Sequence, residues 1–77
     1  LSRLPVLNAR RLIKIIEHIG FTSTHQKGSH MFFSHPDGRS TVVPFHKGED
    51  LGRGLLRSIL RDIEITPKEL EVFLRRY

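Results

Sequence analysis

Apolar residues recur along this chain with two different periods. Leu12, Ile13, Ile15, Ile16 and Ile19 fall on one helical stripe, and Asn8 ahead of Ala9 is a good N-cap for it. Gly20 follows at the position where a left-handed residue commonly ends a helix. The spacing predicts a first helix over about Ala9 to Ile19. From Phe21 the composition turns to Thr, Ser, His and Phe, which suit strands. Phe21 to Gln26 reads as a first strand, Lys27-Gly28-Ser29 as its turn, and His30 to His35 as a second strand. Pro36-Asp37-Gly38-Arg39 is a strong turn signal. Ser40 to Phe45 then forms a third strand centred on Thr41, Val42 and Val43, and Pro44 near its end suits an edge or a terminus.

The helical period returns with Leu51, Leu55, Leu56, Ile59, Leu60 and Ile63. Asp50 is the expected cap of this second helix, although Gly52 and Gly54 weaken its first turn. Thr66-Pro67-Lys68-Glu69 carries a capping box with proline at the first helical position. Leu70, Phe73 and Leu74 would dock this last short helix on the body. The order α-β-β-β-α-α predicts an α+β fold, with helices on one face of a three-stranded antiparallel sheet. Double-stranded-RNA-binding domains share that order and grip RNA by shape and phosphate contacts. Fold alone does not fix function.

Length and composition narrow the classes. A chain of 77 residues predicts a single domain over 1–77, with a small core that must be well patterned. There is no cysteine, which removes disulfides and thiolate zinc sites. No apolar run reaches membrane-spanning length and the segment before Pro5 is too short for a signal peptide, so the expected setting is cytoplasmic. Leu1 is not an initiator, so at least one residue is expected ahead of it. Thirteen Lys and Arg against eight Asp and Glu give a net charge of +5, which favours a polyanionic partner. Arg53, Arg57 and Arg61 recur every fourth residue and share a helix face, and Arg10, Arg11 and Lys14 form a second cluster. A solvated helix face explains either equally simply.

The densest chemistry lies in Lys27-Gly28-Ser29-His30. Glycine permits φ > 0, serine and nearby amides can bond a phosphate oxygen, and lysine adds a point charge. Histidine moves protons near neutral pH, since its unperturbed pKa is about 6.5. Phosphate grip beside proton transfer equips a site to cleave RNA without a metal. The plain alternative is a Gly-Ser turn followed by a solvated histidine. Of the other histidines, His18 lies off the apolar stripe, His35 before Pro36 reads as structural, and His25 and His46 are possible auxiliaries. His30 and His35 point to opposite faces of one strand, and no His-x-His or His-x-x-x-His pair exists, so neither metal nor cofactor is expected. Walker A, Gly-x-Ser-x-Gly and His-Glu-x-x-His patterns are absent.

Taken together, these residues resemble the HicA toxins, the ribonuclease halves of HicA–HicB toxin–antitoxin systems. The resemblance runs through Leu4-Pro5, Gly20-Phe21, Gln26-Lys27-Gly28-Ser29-His30 and His35-Pro36-Asp37-Gly38. It continues through Val43-Pro44-Phe45-His46 and Gly54-Leu55-Leu56-Arg57-Ser58-Ile59-Leu60. It implies a double-stranded-RNA-binding-like fold, mRNA cleavage independent of the ribosome, His30 as the catalytic histidine, and a HicB-like antitoxin covering it. Two positions depart from the family. Relatives often carry Arg where this chain has His25, and often end the second helix with Ala-Gly where it has Ile63-Glu64. Two other classes stay open from sequence: a non-catalytic RNA-binding module, and an interaction domain for an acidic protein. RNA binding is expected to be electrostatic and weakly sequence-selective, through Lys27, Gly28, Ser29 and the Arg53, Arg57, Arg61 stripe, because few aromatics look free for base stacking.

Overall fold

Capping and packing explain where each element begins and ends in the computed structural model, which describes Leu4 to Tyr77. The expectation concerning Leu1 lies outside the described residues. Helix α1 spans Ala9–His18, and the Asn8 side chain accepts the Arg11 N–H at 2.9 Å, as the sequence suggests. Its buried stripe of Leu12, Ile15 and Ile16 meets helix α2, Arg53–Ile63, which buries Leu56, Ile59, Leu60 and Ile63 in one common core. Helix α3, Pro67–Leu74, opens with the expected capping box. The Thr66 N–H donates to the Glu69 carboxylate at 2.9 Å, which holds that carboxyl below its ordinary range. Leu70 seals α3 to the core.

Strands β2 (Thr22–Lys27), β3 (His30–Ser34) and β4 (Ser40–Pro44) pair antiparallel in the order β2-β3-β4. With the flanking helices this is an α+β fold of the double-stranded-RNA-binding kind. Phe33, Thr41 and Val43 are buried beneath the helices, and Phe33 and Val43 each contribute about 1.5–3 kcal/mol by leaving water. Phe21, read as strand from sequence, enters the core just ahead of β2. The Thr41 hydroxyl donates to Asp62 at 2.9 Å and so fastens β4 to the end of α2.

One sequence reading is corrected. Asp50 does not cap α2. It lies with Leu51 in a two-residue strand, β5, which pairs antiparallel with β1 at Leu7–Asn8. Gly52 is the N-cap, without a side-chain bond, and the helix starts at Arg53. The reason is competition: pairing Leu7 with Leu51 buries Leu7 and packs Leu51 on the core, whereas Gly52 and Gly54 are poor continuations of a helix.

Two helix ends carry backbone strain or avoid it. After α1, Gly20 has φ +107°, and a Cβ there would lie 2.7 Å from His35 Nε2. That ring nitrogen donates to the Ile19 carbonyl at 3.1 Å, so the imidazole occupies the space a side chain would need. Its Nδ1 stands 2.9 Å from Asp37, whose carboxyl is held below its ordinary range by the Arg39 N–H and guanidinium. His35 is therefore structural. After α2, Glu64 is left-handed, with φ 58° and ψ 44°.

Gly20→Ala should lower stability by about 1–3 kcal/mol through strain and displacement of His35, measured by urea denaturation. Glu64→Gly should instead raise stability by up to about 1 kcal/mol in the same assay, by relieving the left-handed cost.

Candidate functional site

Everything at the site follows from how one hairpin divides its side chains between two sheet faces. Lys27 pairs with His30 across the β2–β3 turn, and His30 pairs with Pro44 of β4. Facing residues share a side, so Lys27, His30 and Pro44 form one row on the face opposite the buried Phe33 and Val43. The turn closes through Gly28 at φ +60°. Nothing lies within 4 Å of where a Gly28 Cβ would sit, so glycine serves the backbone angle there, not close packing. The Gln26 amide donates to the Gly28 carbonyl at 3.0 Å, and the Phe45 N–H donates to Ser29 O at 2.6 Å. The second bond ties the turn to the exit of β4. Both Lys27 and His30 are exposed.

The next row of this face is His25 with Phe32, and β2 carries a bulge just beyond it. The pairing steps from Ser23↔Phe33 to His25↔Phe32, leaving Thr24 as the extra residue. The step lies beyond His25 as counted from the turn, so His25 shares the face of Lys27 by plain alternation and the extra residue resets Ser23 and Thr22 instead. The His25 and Phe32 rings stack at 4.2 Å and 10°. The Thr24 hydroxyl contacts His25 Nδ1 at 3.2 Å and the Phe32 carbonyl at 3.3 Å, which holds both partners in place. Phe32, half-buried on the open face, is the residue that sequence reading missed. Alternation along β3 from His30 already implies its face. Alternation along β2 from Lys27 likewise puts His25 on that face, while the bulge beyond it has no signature in the residue pattern.

The remaining candidates are distributed unevenly. His46 follows β4 at the same end of the sheet as His30, and its Nδ1 is 3.9 Å from Glu49. Arg53, Arg57 and Arg61 are exposed on α2 and belong to the helical layer, not to the open sheet face. The row spans about 12 Å along the axis. Its last member stands near Asp62, which bonds Thr41 at the far end of β4 from Pro44. Arg57 and Arg61 border a cleft against Thr66 and Pro67 instead. The Arg10, Arg11, Lys14 cluster is partly committed to structure, since Arg11 donates to the carbonyls of Leu74 and Tyr77. His18 is exposed but bonds the Tyr77 hydroxyl. Among the described residues, no three His, Asp or Glu side chains group in a way that could hold a metal ion. Nor is any described helix long and apolar enough to cross a membrane.

Chemically, the open face offers an imidazole beside an ammonium, and strands β2, β3 and β4 contain no acidic residue. Such a surface suits a phosphodiester. The family model described as HicA toxin of bacterial toxin-antitoxin matches residues 9–65, a span from the start of α1 to just beyond α2. The chain belongs to the HicA toxin family. No curated protein matches it. Membership makes the chain the toxin of a toxin–antitoxin system, so an antitoxin is its natural partner. The matched span contains the whole hairpin with Lys27, Gly28, Ser29 and His30, and the whole arginine row of α2.

Proposed function

We propose that this HicA-family chain is a metal-independent endoribonuclease that cleaves mRNA with His30 and is held in check by a HicB-like antitoxin. The observation that carries this reading is the direct cross-strand pairing of His30 with Lys27 on a sheet face that no helix covers. RNA can cleave itself when its 2′-oxygen attacks the neighbouring phosphorus. A base must take the 2′-proton, an acid must protonate the departing 5′-oxygen, and cations must stabilise charge on the phosphoryl oxygens. His30 takes one of the two proton roles. Lys27 supplies the cation, while Gly28 and Ser29 let the turn approach the phosphate. His46, at the same end of the sheet, and His25, one row away, are the candidates for the second proton role. The arginine row of α2 would extend the phosphate footprint beyond the scissile bond.

The antitoxin, on this reading, works by occlusion. A HicB-like protein covering His30 and Lys27 would compete with RNA for one surface. Charge complementarity would speed its arrival, and buried apolar contacts would supply much of the affinity. The cytoplasm is where such a toxin would meet both mRNA and its antitoxin.

His30→Ala should reduce cleavage of single-stranded RNA by about 10²–10⁴-fold while leaving the circular dichroism spectrum unchanged. Wild-type cleavage should persist in EDTA. A folded His30→Ala protein that cuts at the wild-type rate would overturn the assignment, and RNA binding without any wild-type cleavage would make the chain a binding module.

Lys27→Ala should weaken RNA binding, with the slope of log affinity against log salt falling by about 0.7–1 between roughly 50 and 200 mM. Fluorescence anisotropy of a labelled RNA reads both quantities.

A further inference from the structure

We infer that the stacked His25–Phe32 pair is a nucleobase platform, which seats one unpaired base of a single-stranded RNA beside the His30–Lys27 row. The inference rests on the reading of this face as an RNA-cleaving site, and it adds what that reading lacks: a contact to a base. Three observations support it. The two rings lie parallel at 4.2 Å and 10° on the open face, so a planar base can continue an existing stack. His25 is the more exposed of the two and leaves a ring accessible from solvent, while Phe32 is anchored half-buried in the central strand. The Thr24 hydroxyl, itself anchored on the Phe32 carbonyl, contacts His25 Nδ1, so the His25 ring has less side-chain freedom to lose when a base arrives.

The spacing fits a single nucleotide. The His25–Phe32 row and the Lys27–His30 row are neighbours on one face, roughly 7 Å apart for two residues of strand. That is comparable with the distance from a base to its own phosphate. A phosphodiester at His30 and Lys27 therefore leaves an adjacent base over the stacked rings. The occupant is single-stranded, because a base in a duplex hides its faces in the helix. It is nucleic acid and not an acidic protein strand, because carboxylates would answer Lys27 but have no use for two parallel rings. Sequence reading expected few aromatics to be free for stacking; the cross-strand pairing of His25 with Phe32 on the open face supplies the platform.

The test uses the full chain carrying His30→Ala, so that RNA stays intact, with short single-stranded RNAs bearing 2-aminopurine at successive positions. Binding should quench the fluorophore at one position only. Adding Phe32→Leu should remove that quench and weaken binding by about tenfold. Phe32→Tyr, which keeps an aromatic ring, should restore both. Lys27→Ala should weaken binding yet keep the quench. Equal quenching and affinity in the Phe32→Leu and His25→Ala backgrounds would overturn the platform, even if wild type cleaves RNA normally. Absence of RNA binding and cleavage by wild type would overturn the parent reading and the platform with it. Loss of antitoxin affinity in Phe32→Leu, with RNA binding unchanged, would assign the rings to the protein partner and likewise overturn the platform.

Discussion

Side chains on a β-strand alternate between two faces, and the helices of this chain cover only one of them. Phe33, Thr41 and Val43 go under α1 and α2, where they close the core that Leu12, Ile15, Ile16, Leu56, Ile59 and Ile63 line from the helical side. Once they do, His30, Phe32 and Val42 have no choice but the opposite face. The His30 imidazole is exposed for the same reason that Phe33, three residues on, is buried. A register slip of one residue would put His30 in the core and Phe33 in water, so packing and chemistry stand or fall together.

Around that constraint, several contacts fix the sheet at its two ends. At the far end, Arg39 bonds Asp37 and the Ile63 carbonyl and lies 5.1 Å from the centre of the Phe21 ring. His35 joins the same turn to the end of α1 through Ile19. At the near end, the bond from Phe45 to Ser29 sets the height of the β2–β3 turn relative to β4. The exposed hairpin is thus carried on a sheet fixed at both ends, a condition for the base and phosphate contacts proposed for this face.

Much of this was legible before any coordinates. Apolar period separated helices from strands, Asn8 and Thr66 marked two helix starts, and Gly20 marked a stop. The Lys27-Gly28-Ser29-His30 run announced a turn with chemistry beside it. What stayed hidden has a common cause: it depends on partners distant in sequence. Asp50 looked like a cap because its helix was visible, whereas its strand partner Asn8 stood far away at the other end of the sheet's chain path. Helical spacing grouped Arg53, Arg57 and Arg61 correctly, but it carried no information about which layer they would occupy. The bulge at Thr24 left no mark in the residue pattern, and Arg11 gave no hint that it would reach the last carbonyls of the chain.

The bulge at Thr24 also bears on how copies of this chain behave toward each other. β2 is an outer strand, exposed along its whole length, and such a strand offers unpaired backbone groups to any neighbouring chain. A regular strand of that kind is a template for edge-to-edge growth. The extra residue interrupts the regular ladder midway and increases local twist, while Lys27 places a charge at its end. A chain with so open a sheet edge thereby carries, next to His25, a brake on self-association.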